Sequence, residues 1–245
     1  ATLTTVSRAE RERSRVALGG DVVVHAIMLA AGIGRRLTGG DLEHPPKSML
    51  QFGGKTLIRR HVEILRDAGI EGLTVVVGYQ APVIRAELEA CAPEGFVSTL
   101  ENEAFLRGSM LSCRTAAPVL TAGKDVLLMD ADVLYHRDNI VRLVRTPHAN
   151  CFTYDRDFDP GRDPVKRSLR DGHPVEFRKA ISGEYDVMGE WPGFLRLGPD
   201  MARALVACMD GYVAAGRLDE PYEEAVRDLL LAEPVGRFAA EDVTG

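Results

Sequence analysis

The run Val22-Val23-Val24-His25-Ala26-Ile27-Met28-Leu29-Ala30-Ala31-Gly32-Ile33-Gly34-Arg35-Arg36-Leu37 decides how the chain is read. Val22 to Leu29 is an almost unbroken apolar run, as a strand buried on both faces of a parallel sheet requires. Small residues and glycines follow at once, so backbone N–H groups can approach an anion with no Cβ in the way. Arg35 and Arg36 then offer guanidinium forks matched to phosphate oxygens. Two other phosphate-binding patterns are excluded. The dinucleotide fingerprint needs a third Gly or Ala after Gly32 and Gly34, where Leu37 stands. Gly54-Lys55-Thr56 imitates the end of a Walker A loop, but the Gly due five positions earlier is Met49.

Downstream of this run, Pro45-Pro46 stiffens the chain leading into Lys47. A lysine after proline is most often a surface residue; beside a Gly-rich loop it reads as a fixed ammonium for phosphate. Residues 56–68 place Leu57, Ile58, Val62 and Leu65 on one helical face, and Gly69 supplies a stop. Leu73 to Val77 is a second buried strand, and Pro82 opens a helix through about Cys91. Asp125 to Met129 is a third, running into Asp130-Ala131-Asp132. Strands alternating with helices imply crossover units and a mainly parallel sheet flanked by helices, an α/β fold. Further on, Val165–Arg170 and Pro174–Phe177 flank Asp171-Gly172-His173, a hairpin signal. Helices are expected over 198–216 and from Pro221 to Ala232. Upstream, residues 1–20 read as a loose arm, leaving 21–245 as one domain: an α/β core over 21–150 and a part over 151–245 that elaborates it.

The 245 residues are 45% hydrophobic and 27% charged, ordinary globular composition for one such domain. A net charge of -6 argues against a broad nucleic-acid face, which needs clustered Lys and Arg. Cys91, Cys113, Cys151 and Cys208 lie far apart without metal-ligand spacing, as expected of reduced thiols. No apolar run is long enough for a membrane span and the first residues lack a signal-peptide core, so a cytoplasmic protein is expected. The six histidines show no ligand spacing and receive no chemistry. Trp191 reads as core packing rather than as a wall for a cationic group.

The run LAAGIGRRL, followed by PPKSMLQFGGKTLIRRHVEIL and VVVGY, resembles the N-terminal signature of sugar-phosphate and alcohol-phosphate nucleotidyltransferases. The likeness is strong over residues 24–135 and weak beyond, and it implies a Rossmann-like nucleotidyltransferase fold. Asn102 to Ser112, Met129-Asp130-Ala131-Asp132-Val133, the segment DRDFDPGRDPVK and Pro221-Tyr222-Glu223-Glu224 narrow it to the phosphocholine, inositol-phosphate and phosphonate cytidylyltransferase group.

The resemblance implies an enzyme that moves CMP from CTP to a small phosphorylated or phosphonylated acceptor with Mg²⁺, releasing pyrophosphate. Other readings are a sugar-1-phosphate or cofactor nucleotidyltransferase using another triphosphate, and a nucleotide-binding regulatory module without turnover. Lys47, Arg35 and Asp132 would be catalytic, with Asp132 the metal ligand. Leu29, Ala30, Ala31, Gly32, Gly34, Gly78, Tyr79, Asn102, Ser109 and Asp130 would hold the nucleotide. Lys166, Arg178, Lys179, Glu190, Tyr222 and Glu223 would face the acceptor, and the five basic residues of the hairpin (Lys166, Arg167, Arg170, Arg178, Lys179) tilt the reading toward a strongly anionic one. No nucleic-acid or membrane partner is expected, and a homodimer is compatible. The family usually adds a second metal-binding carboxylate near its C-terminal end. Either Asp242 substitutes for it or, as favoured here, it lies on a tail beyond residue 245.

Overall fold

Alternation along the buried strands builds the molecule. A computed structural model describes residues 23–34, 43–158, 165–179 and 184–245. The strands are β1 (Val24–Leu29), β2 (Gln51–Phe52), β3 (Lys55–Thr56), β4 (Gly72–Val77), β5 (Val97–Glu101), β6 (Asp125–Asp130), β7 (Cys151–Tyr154), β8 (Lys166–Arg170), β9 (His173–Arg178), β10 (Val187–Glu190), β11 (Phe194–Leu197) and β12 (Ala239–Asp242). The helices are α1 (Leu57–Asp67), α2 (Ala81–Cys91), α3 (Ser109–Thr115), α4 (Ala117–Leu120), α5 (Arg137–Arg145), α6 (Pro199–Ala214) and α7 (Tyr222–Ala232).

Seven strands form one sheet in the order β12-β7-β11-β6-β1-β4-β5, and β11 alone runs against the rest. Side chains of β6 alternate between two cores. Val126 and Leu128 face α3, α4, α6 and α7, whereas Leu127 and Met129 face α1, α2 and α5. Full burial of such a side chain is worth about 1.5–3 kcal/mol. A one-residue slip would exchange the layers, so the packing fixes the register. Asp130 and Ala131 inherit this alternation, and helices from opposite layers reach them.

The mixed α/β sheet is the one expected, but the second half of the chain takes a larger part in it. Strands β7, β11 and β12, all beyond residue 150, complete the main sheet. Strands β8, β9 and β10 form a separate three-stranded sheet, in the order β10-β8-β9. Asp171 and Gly172 both have positive φ, 51° and 77°, as a two-residue hairpin turn with the right twist demands. The expected N-terminal arm lies outside the described residues.

Candidate active site

The C-terminal end of β6 opens at the sheet edge where α/β folds bind ligands. Here the structure brings together residues far apart in sequence. Lys47 opens a short 3-10 turn after Pro46 and donates from Nζ to Asp132 Oδ2 at 2.8 Å. Gly34 has φ +66°, and a Cβ there would lie 2.9 Å from Lys47 Cε. The glycine therefore lets the lysine stem cross the loop end. At Gly32 a Cβ would meet nothing within 4 Å, which leaves that backbone open to a ligand. Arg35 lies outside the described residues.

A latch sets the Lys47 turn. Tyr79 Oη donates to the His44 carbonyl at 2.6 Å, and Gln80 Nε2 donates to the same oxygen at 3.0 Å. Gln80 takes left-handed backbone, φ 48°, just before α2. Such a conformation is costly for a residue with a side chain and persists where the surroundings over-determine it. Gly78 is equally constrained: a Cβ there would fall 2.6 Å from Phe105 Cβ and 3.0 Å from Ala31 Cβ.

Several residues expected at the nucleotide serve as frame. The Leu29 carbonyl accepts from Ala131 N, Ala30 N donates to the Val76 carbonyl, and the Ala31 carbonyl accepts from Tyr79 N. Asn102 is buried; its Nδ2 donates to Ser112 Oγ at 3.0 Å and its Oδ1 accepts from Ala104 N at 3.0 Å. Its amide thus shapes the loop over residues 102–108. Ser109 Oγ accepts from Tyr222 N at 3.1 Å and donates to Glu223 Oε2 at 3.5 Å. Tyr222 Oη donates to Asp130 Oδ1 at 3.1 Å. Two residues expected at the acceptor therefore sit beside the carboxylate end of β6.

Charge is concentrated there. Burial first, then Glu223 and Asp132, push the Asp130 carboxyl well above the usual carboxylate range, while Tyr222 and Lys47 oppose the shift. Asp132 is the accessible carboxylate, its side chain 42% exposed.

Most of the remaining acceptor residues are engaged in and around the small sheet. Lys166 is buried and donates to the Lys179 carbonyl at 2.9 Å. Arg178 pairs with Glu224 at 3.1 Å, and Arg170 donates to the Glu184 carbonyl. Glu190 stands opposite Lys166 in the β10–β8 ladder and bridges to Asp155. Its carboxyl is pushed up by burial and by Asp155, with Lys166 opposing. Lys179 is exposed. Arg167 is fully buried, its guanidinium carbon 3.4 Å from the Phe152 ring centroid, and none of its three nitrogens has a hydrogen-bond partner among the described residues. The five basic residues thus do not open together on one anion pocket. Trp191 packs edge-on against Phe177 and Tyr222 and donates to the Phe194 carbonyl, a core position as expected.

Asp242 ends β12, three strands from β6 and roughly 14 Å away at ~4.8 Å per strand. Its carboxylate already takes Arg156 at 2.8 Å and the Thr244 hydroxyl. Sequence reasoning missed His61, Tyr135, Gln80 and the Arg107–Asp219 pair. The available signal for His61 was its place on the apolar face of α1 with Leu57, Ile58, Val62 and Leu65.

The profile described as MobA-like NTP transferase domain matches residues 26–188, more than half of the chain. A Campylobacter jejuni CTP:phosphoglutamine cytidylyltransferase is 22% identical over 201 residues, 75% of this chain and 77% of the relative. The Streptomyces rubellomurinus CMP-5'-(3-aminopropyl)phosphonate synthase is 28% identical over 153 residues, 62% of this chain but only 24% of that protein. The solved CTP:phosphocholine cytidylyltransferase of Streptococcus pneumoniae superposes with a TM-score of 0.66 over 91% of both chains at 21% identity, which shows a shared fold. Among the described residues, no helix is long and apolar enough to cross a membrane.

Proposed function

The chain belongs to the MobA-like NTP transferase family, and we propose that it is a Mg²⁺-dependent cytidylyltransferase that moves CMP from CTP to a small phosphonate or phosphate monoester. The nucleotidyltransferase class follows from the family; cytosine and the acceptor are the proposal. The observation that carries it is the meeting of Lys47 and Asp132 over Gly34 at the open end of β6. Relatives that are a phosphoglutamine cytidylyltransferase and a CMP-5'-(3-aminopropyl)phosphonate synthase support that acceptor class.

An acceptor oxygen attacks the α-phosphorus and forms the new P–O bond. The bond from that phosphorus to the bridging oxygen breaks, and pyrophosphate leaves with its electron pair. A phosphonate or phosphate oxygen is already ionised at neutral pH, so no side chain must remove a proton. The protein positions the groups and neutralises charge. Lys47, freed from Asp132 when the triphosphate arrives, turns its ammonium to the phosphate oxygens. Asp132 would hold Mg²⁺, whose chemistry is to neutralise the phosphoryl oxygens. The donor set fits a hard cation that keeps waters and phosphate oxygens as ligands. No group of three His, Cys, Asp or Glu forms a cage among the described residues, and Mg²⁺ needs none. Glu223, half-buried and linked to Ser109, lies on the side from which the acceptor would approach, and the buried Tyr222 holds Asp130 behind it.

Pyrophosphate release from CTP, ATP, GTP and UTP, each with and without Mg²⁺ and with phosphonate and phosphate-monoester acceptors, tests this. Release should require CTP, Mg²⁺ and an acceptor together. Equal release from all four triphosphates would remove the cytosine assignment and leave the reaction class.

A further inference from the structure

The carboxylates at the end of β6 are held from both helical layers. Tyr222 of α7 reaches Asp130 from one side. From the other, His61 of α1, only 1% exposed, places Nε2 3.0 Å from the Ala131 carbonyl. Ala131 stands between Asp130 and Asp132, and its own N–H goes to the Leu29 carbonyl at 3.2 Å. The residue between the two carboxylates is thus held through both its N–H and its carbonyl.

A carbonyl oxygen can only accept, so Nε2 carries the hydrogen. A neutral imidazole then has an accepting Nδ1, and Tyr135 Oη, 3.2 Å away, must donate to it. Tyr135 also stacks on the ring, centroids 5.1 Å apart and planes 6° from parallel, and is itself wedged edge-on against Phe194. Both rings are buried and held by these contacts. A buried histidine with both nitrogens committed could be framework alone, but its single backbone acceptor is the peptide that aims Asp132.

We propose that His61 is a positioning residue, which as the Nε2–H tautomer fixes the Ala131 carbonyl and so sets the direction of the Asp132 carboxylate toward a divalent cation. This rests on the assignment of Asp132 to the cation. Groups that orient a metal-binding residue from behind typically change metal affinity by about 10–100-fold when lost.

Binding of Mn²⁺, followed by the paramagnetic resonance of the free ion, is measured on the intact protein and on the variants His61→Gln, His61→Asn, His61→Phe and Asp132→Asn. A glutamine amide places an N–H where Nε2 stood; asparagine is too short and phenylalanine has no donor. His61→Phe and His61→Asn should weaken Mn²⁺ binding on the order of tenfold or more, with His61→Gln within a few-fold of wild type. Nitrogen NMR of the wild type at neutral pH should show hydrogen on Nε2 and none on Nδ1. Unchanged affinity in His61→Phe beside weakened binding in Asp132→Asn overturns the role of His61. Equal weakening in His61→Gln and His61→Asn, or hydrogen on Nδ1, also overturns it. Unchanged affinity in both Asp132→Asn and His61→Phe removes the cation from Asp132 itself. Should His61→Phe fail to fold, the Gln–Asn pair and the tautomer decide.

Discussion

Lys47 and Asp132 form an ion pair with side chains 27% and 42% exposed. Exposed pairs of this kind contribute about 0–1 kcal/mol, so stability gives little reason for them. Lys47→Ala should therefore leave the melting temperature nearly unchanged while lowering turnover about 10²–10³-fold, as loss of a charge-stabilising contact does. Steady-state kinetics beside a thermal melt checks this, and turnover within a few-fold of wild type would take Lys47 out of the chemistry. His61 behaves differently. Burial pushes its pKa from 6.5 down to about 4, so the folded protein keeps it neutral while the unfolded chain protonates it. With the folded value depressed, its contribution is present above pH 6.5 and lost as pH falls toward 4. The full loss is about 3 kcal/mol, at 1.36 kcal/mol per pKa unit. Urea unfolding from pH 7 to 4 should show this slope in the wild type and lack that part of it in His61→Gln. Residue by residue, the sequence pointed to Lys47, Gly34 and Asp132 because each belongs to a short local pattern. The spacing of the histidines gives His61 no role, although a polar group on an apolar helix face must find a buried partner.

Between elements, a group of contacts joins the loop before α3 and the start of α3 to the segment before α7. Arg107 pairs with both oxygens of Asp219 at 2.5 and 2.8 Å, Gly108 N donates to the Leu218 carbonyl, and Met110 N to the Glu220 carbonyl. A Cβ on Gly108 would overlap the backbone of Asp219. The strap carries Ser109, expected at the nucleotide, against Tyr222 and Glu223, expected at the acceptor. Gly108→Ala should cost about 1–3 kcal/mol, the usual range for forced overpacking, and raise KM for both substrates. A thermal melt and separate KM determinations decide; a change in only one KM would show that the strap does not couple the two sides. Helices α1, α2, α6 and α7 and the β8–β9 hairpin were legible from caps, glycines and periodicity. Strands β7, β11 and β12 were not, because four residues give no usable period and their ladder partners lie more than forty residues apart.

Across the whole molecule, six parallel strands and one reversed strand present loops from distant parts of the chain at a single edge. The α/β class and that edge could be read from the apolar runs of β1, β4 and β6. The acceptor side could not, because it depends on which charges neutralise one another after folding. Lys166, Arg170 and Arg178 look available in sequence and are engaged in the structure. Lys47 and Asp132 together are proposed to move a nucleoside monophosphate at the end of β6. The most direct measurement follows the radioactive α-phosphorus of CTP in the presence of Mg²⁺ and an acceptor, in wild type, Lys47→Ala and Asp132→Asn. The label should pass into an acceptor-linked CMP in the wild type, and its transfer should fall at least about 10²-fold in either variant. Label released only as free CMP, or transferred equally by all three proteins, would contradict it.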